Sequence, residues 1–120
     1  MRTVFRSGFV VVSQALIVLT TCASAPDAEA LATALVEERL AACVNVLPAV
    51  ASIYRWDGRI HRDQESMLVI KTTTDRFEAV ERAIQSRSSY ELPEVLAIAA
   101  ERGSAAYLKW LSDAIGTPKE

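Results

Sequence analysis

The sequence predicts an α+β fold: a ferredoxin-like βαββαβ sandwich with a long central hairpin and an extra C-terminal helix. Three observations point there. The apolar patterns run in the order β-α-β-β-α-β-α. Two period-two runs meet at Asp57-Gly58, a strong hairpin turn. A βα unit lies on each side of that hairpin, which is the split βαβ arrangement. With 120 residues the chain is read as a single domain over 1–120, with residues 1–12 expected as an extended or flexible N-terminal tail.

The first core strand is expected over Gln14 to Thr21. Its run Ala15-Leu16-Ile17-Val18-Leu19 is short, continuous and partly β-branched, as in a strand buried on both faces. Met1 to Ala25 also resembles a secretory signal, with Arg2 and Arg6 ahead of an apolar run and Ala23-Ser24-Ala25 behind it. The strand reading is preferred because the later pattern needs this segment, and the run is too short to span a bilayer. A helix follows. Ser24 is placed to cap it, Pro26 falls in the first turn, and Asp27 sits near the positive dipole end. Ala28, Leu31, Ala32 and Leu35 form its apolar stripe, widened by Val36 and Leu40.

Cys43 to Trp56 then alternates with period two. Pro48, with no N–H to donate, marks a bulge, a break or an edge in this strand. The returning strand runs from Arg59 towards Thr73. A second helix is expected to start at a capping box formed by Asp75 and Glu78, with Phe77, Val80 and Ile84 on one face. Ser86 to Ser89 ends it. Glu94 to Ala100 reads as a short strand, and Ser104 caps a last helix carrying Leu108, Leu111 and Ile115, closed by Gly116 and Pro118.

The hairpin is long for its domain. Fifteen strand residues from Arg59 to Thr73 reach on the order of 50 Å. A domain of this length has a radius of gyration of about 14 Å, hence a width of roughly 35 Å. The tip therefore overhangs its own core, yet Ile53, Tyr54, Trp56 and Ile60 near it are apolar or amphipathic. A bare sheet edge with such side chains invites aggregation. Packing on further copies of the same chain resolves the conflict, so a symmetric homo-oligomer is expected.

Composition narrows the function. A net charge of −2 and a pI near 5.5 argue against a nucleic-acid binder, which carries a basic face. The mean hydropathy of +0.18 is high for a monomer. Cys22 and Cys43 make no disulfide framework, and His61, the single histidine, excludes zinc sites built from several His within one chain. The four glycines form no phosphate-cradling loop. No Ser-His-Asp or Cys-His arrangement can be assembled, so no enzyme is expected.

Five ordered blocks resemble the CutA family of divalent-cation tolerance proteins: Glu38 to Asn45, Ser52 to Ile60, Ile70 to Thr72, Tyr90 to Glu94, and Tyr107 to Leu111. The resemblance runs from about Gln14 to Ile115. It implies a ferredoxin-like subunit, a homotrimer built through the long hairpin, a cytoplasmic setting for bacterial members, and a link to copper tolerance. Position by position the carry-over is uneven. Where the family often shows His-Pro-Tyr, this chain has Ser88-Ser89-Tyr90, so the histidine usually suggested as a copper ligand is absent. Thr20 stands where some members have a cysteine, with Cys22 two residues further on. Glu94 matches the acidic residue of the family's Pro-Glu pair.

Two residues are metal candidates, Cys43 and Glu94. A thiolate suits Cu(I), although a lone cysteine also serves as core filler. No cofactor is required; copper or another divalent cation is the implied ligand. Lys71, Tyr90, Glu91 and Glu94 fall at strand ends and before the last strand, where they would line an intersubunit pocket for a small anion or metal, or form an interface network. Tyr54 and Trp56 read as interface packing. The expected partners are other copies of the chain and a metal ion, with no nucleic acid and no membrane. Two other readings stand beside this one: a PII-like trimer sensing a nucleotide or small anion, and a stable trimeric scaffold for a protein partner.

Overall fold

The computed structural model describes residues 14–116 together with two short strands, β1 (Thr3–Arg6) and β2 (Phe9–Val12), which pair with each other in a separate antiparallel sheet. The remaining positions of the expected N-terminal tail, and Pro118, lie outside the described residues.

The main sheet has four strands in the order β4-β5-β3-β6, where β3 is Ala15–Cys22, β4 Cys43–Trp56, β5 Arg59–Thr73 and β6 Leu96–Ala99. All neighbours are antiparallel, and the four strands with their crossovers make the ferredoxin-like α+β fold. β3 lies inside the sheet, paired over its full length with β5 and over Leu16 to Leu19 with β6. This explains why its apolar run is continuous rather than alternating.

Helix α1 (Ala25–Glu37) begins as the sequence predicts: the Ser24 hydroxyl accepts from the Asp27 N–H at 3.2 Å, with Pro26 in the first turn. It ends on a left-handed residue, Arg39, at φ +58°. The Leu40 N–H donates to the Leu35 carbonyl and the Arg39 N–H to that of Val36, satisfying the carbonyls a helix end leaves open. Val36 falls outside the buried stripe and is exposed.

Helix α2 (Phe77–Arg87) starts later than the expected capping box. A 3-10 turn at Thr74–Arg76 precedes it, and Arg76 stands at the N-cap without a side-chain cap bond. The Asp75 carboxylate accepts from the Thr73 hydroxyl instead. Helix α3 (Ala105–Ile115) is capped by Ser104, whose hydroxyl accepts from the Tyr107 N–H at 3.3 Å.

Two cores result. Val18, Leu68 and Ile70 of the sheet bury against Ala28, Leu31 and Leu35 of α1 and Val80 and Ile84 of α2. On the other face Ala15 packs against Leu111 and Ile115 of α3. That helix covers only one end of its face. Leu96 and Ile98, paired in register with Leu19 and Ile17, remain 59% and 52% exposed there.

β4 and β5 continue past both cores. Their pairing runs from Cys43↔Lys71 to Trp56↔Arg59, with a register shift between Leu47 and Val50. Pro48 lies within that shift and Ala49 takes φ +57°, so the bulge expected of a proline in mid-strand is present. Asp57 and Gly58, at φ +53° and +72°, form the two-residue turn. The chain measures 50 × 29 × 27 Å with a radius of gyration of 15.9 Å, more elongated than the roughly 14 Å of a compact domain this size.

Candidate functional site

The arm of the hairpin and the segment between α2 and β6 enclose a cleft of about 600 Å³. Along β5, Ser66, Leu68, Ile70 and Thr72 are buried against the helices, so Glu65 and the alternate residues after it point to the opposite face. Glu65 thereby enters the cleft from its floor. The break in helix α2 at Ser88 turns the chain, the Tyr90 N–H donates to the Ser88 hydroxyl at 3.0 Å, and Tyr90 swings over the strand. Its hydroxyl donates to the Glu65 carboxylate at 2.5 Å. Tyr54 and Trp56 come from the arm, Glu91 and Glu94 from the segment before β6, and Thr21 from the top of β3.

The walls are held from behind. The Tyr54 ring stacks on that of His61, its cross-strand neighbour, at 5.5 Å between centroids. Its hydroxyl donates to the Asp63 carboxylate. His61 thus supports the aromatic wall from the neighbouring strand. Its Nε2 is 3.0 Å from the Trp56 carbonyl.

The electrostatics of the cleft are acidic. Glu65, Glu91 and Glu94 line it, and no Lys, Arg or His does so among the described residues. Burial pushes the Glu94 carboxyl above its ordinary value, and the Glu65 charge adds to the shift. Burial and the hydrogen bond to Glu65 hold the Tyr90 phenol well above the usual range. Such a lining disfavours a small anion.

The structure brings together Tyr54, Trp56, Tyr90, Glu91 and Glu94 of the sequence candidates. It leaves Cys43 and Lys71 elsewhere: they face each other across the β4–β5 ladder. Lys71 lies six residues along β5 from Glu65, roughly 20 Å at strand rise. Cys43 and Glu94 therefore do not meet within one subunit. Cys22 is the cysteine nearer the cleft; burial raises its thiol, with Asp27 and Glu65 contributing. Thr20 is wholly buried, and its hydroxyl has no partner among the described residues. Glu65 was missed from sequence, because its role depends on a contact with a residue 25 positions away.

Among the described residues, no group of three or more His, Cys, Asp or Glu side chains is placed to hold a metal ion. The oxygen donors of the cleft suit hard cations better than Cu(I). No helix among the described residues is long and apolar enough to cross a membrane.

Known proteins resemble this chain closely. Residues 16–114 match the family described as CutA1 divalent ion tolerance protein. The divalent-cation tolerance protein CutA of Thermus thermophilus is 44% identical over 100 residues, spanning 83% of this chain and 97% of that protein. A CutA homolog from Xenopus laevis is 41% identical over 95 residues, 79% of this chain and 63% of the longer relative. Among solved structures, the Thermus thermophilus protein superposes with a TM-score of 0.82 at 43% identity, covering 85% of this chain and 99% of its own. A structure from Archaeoglobus fulgidus, named a periplasmic divalent cation tolerance protein, gives 0.82 at 32% identity, with 85% and 99% covered. On its sequence blocks, its strand order and these matches, the chain belongs to the CutA1 divalent ion tolerance family.

Proposed function

We propose that the chain acts in divalent-cation tolerance as a cytoplasmic homotrimer without catalytic activity, holding copper or another divalent cation where subunits meet. The observation that carries the assembly is the pair of exposed apolar surfaces on one subunit. The arm presents Ile53, Tyr54, Trp56 and Ile60, and the sheet face presents Leu96 and Ile98. These are different patches, so arm-to-face contact is head-to-tail and closes into a ring when the rotation permits. The number three comes from the family resemblance.

The metal reading requires a site shared between subunits. Among the described residues, one subunit supplies too few converging ligands for a cation, which takes four to six or more. Glu94, with Glu65 beside it, offers carboxylate from the cleft; Cys43 offers thiolate from the far end of the ladder and joins only from a neighbouring subunit. No step of chemistry is assigned to the ion.

Titration of the purified protein with Cu(II), Cu(I) and other divalent cations by calorimetry, with sedimentation on the same sample, tests this. The expected result is a trimer that binds metal more tightly than the Cys43→Ala, Glu94→Ala double variant does. Equal binding by the two removes the metal role from those residues. A folded monomer removes the shared site. The acidic lining of the cleft gives no support to a nucleotide sensor; stabilisation by ATP or ADP but not by metals in a thermal-shift screen would favour one.

A further inference from the structure

The family match begins at residue 16, and the hairpin of β1 and β2 precedes it. These strands form a sheet of their own, antiparallel, with Phe5 opposite Val10 and Arg6 opposite Phe9. A lone two-stranded hairpin is marginally stable in water. Period-two alternation and this register place Val4, Arg6, Phe9 and Val11 on one face and Thr3, Phe5, Val10 and Val12 on the other. Both faces are therefore mostly apolar. A neighbouring sheet or helix would cover one face and leave the other in water. The segment is also cationic: Arg2 and Arg6 come before the first acidic residue, Asp27, although the whole chain carries a net charge of −2. The rest of the chain is thus acidic, and the hairpin is opposite in charge to its own body.

We propose that this hairpin lies on an anionic lipid surface and holds the assembled protein there. The interface of a bilayer surrounds a hairpin on both faces and takes apolar residues beside its arginines. Arg2 directly precedes β1 and Arg6 ends it, so an arginine falls at each end of the strand, and arginine pairs bidentately with phosphate. The cytoplasmic leaflet supplies the negative charge. Such a contact is distinct from a spanning segment. Each strand has four residues, where a transmembrane strand needs about 9–11, and open sheet edges stay out of the hydrocarbon. The point of attachment is fixed. The Gln14 N–H donates to the Thr74 hydroxyl at 3.1 Å, and the Thr74 N–H donates to the Gln14 carbonyl at 2.9 Å. These bonds adjoin the Ala15↔Thr73 pair, at the opposite end of β5 from the arm tip. The arm and the cleft are thereby left to neighbouring subunits and metal. The strength of the contact rests on the trimer proposed above. Subunits related by one rotation put their exit points at one level along its axis, where a single flat surface meets all three. Hairpins that bind weakly one at a time bind tightly together.

Flotation of the full chain with lipid vesicles tests this. One set holds equal parts of phosphatidylglycerol and phosphatidylcholine, the other phosphatidylcholine alone. EDTA is present throughout, so that no metal bridges protein to lipid. The wild type is expected to float with the anionic vesicles and not with the neutral ones, and to be released by salt. Arg2→Gln together with Arg6→Gln should weaken partitioning about tenfold or more. Phe5→Ser together with Phe9→Ser should also weaken it, because charge alone does not seat the hairpin. No flotation, or equal flotation with both kinds of vesicle, overturns the proposal. So does a charge variant that floats like the wild type. Sedimentation without lipid follows the assembly separately, and every variant is expected at the wild-type mass. A variant that loses mass and flotation together makes the hairpin a contact between copies and counts against the lipid surface. A monomeric wild type that still prefers the anionic vesicles removes the trimer and supports the hairpin's role.

Discussion

Replacing Ile53 and Ile60 together by lysine separates a subunit that stands alone from one that shelters its arm. Both side chains lie near the hairpin tip, 69% and 62% exposed in the single chain. Burying an isoleucine fully is worth about 1.5–3 kcal/mol. Roughly two-thirds of that remains available at each position, so a neighbour covering both gains about 2–4 kcal/mol per subunit. Over three arms the assembly loses about 6–12 kcal/mol in apolar burial alone, and each buried ammonium adds a desolvation cost. In an isolated subunit the same changes face water and shift stability by no more than about 0.5 kcal/mol each. Sedimentation equilibrium at micromolar concentration reads the outcome. The wild-type chain is expected at three times its 13.1 kDa mass, and the double variant as a folded or partly unfolded single chain. If the wild type is a folded particle of 13.1 kDa, or if the variant keeps the full assembly mass, the argument from the overhanging arm is wrong.

Four further outcomes are expected. Arg39 donates to the carbonyls of Ala114 and Gly116, both at 3.2 Å, so Arg39→Ala should lower stability by about 1–3 kcal/mol and loosen α3 in hydrogen exchange. Arg39→Gly relieves the left-handed backbone while losing the same bonds, so it should fall between the two in a urea melt. Leu35, fully buried between helix and sheet, should cost about 2–5 kcal/mol when cut to alanine, read as a drop in denaturation midpoint with unchanged slope. The Glu94 carboxyl is raised in the folded chain by burial and by Glu65. The folded state therefore holds its proton more tightly than the unfolded state, and the resulting stability is lost as pH rises through the folded value. Glu94→Gln should be more stable than wild type at neutral pH, by less than about 1 kcal/mol at this partly exposed site. The gain should vanish below the ordinary value of 4.5; a pH-independent difference refutes the assignment.

The fold was legible wherever neighbouring residues decide it. Ser24 and Ser104 cap helices because a hydroxyl three residues ahead of a free N–H suffices. Cys43–Trp56 and Arg59–Thr73 have the expected bounds because alternation and the Asp57-Gly58 turn fix them locally. Asp75 and Glu78 misled, because a capping-box spacing does not reveal that Thr73 will take the carboxylate and a 3-10 turn will come first. β6 is shorter than its apolar run, since β3 offers it only four partners. The site was legible in residue types but not in grouping. Lys71 and Glu65 share a strand face, yet strand rise separates them by roughly 20 Å, and nothing in the spacing shows which one the Tyr90 segment will reach.

That separation bears on how one scaffold serves two ends. The sheet's outward face carries Cys43 and Lys71 at one end and the acidic cleft at the other. The arm that overhangs the core is also the arm that supplies Tyr54 and Trp56 to the cleft. Whatever fixes the arm fixes one wall, while Glu91 and Glu94 belong to the segment anchored by β6. A substitution that frees the arm should therefore disturb ligand binding and assembly together. One confined to Glu94 should disturb binding and leave the mass unchanged. Loss of assembly by Glu94→Gln alone would mean that the carboxylate is an interface contact and not a ligand group.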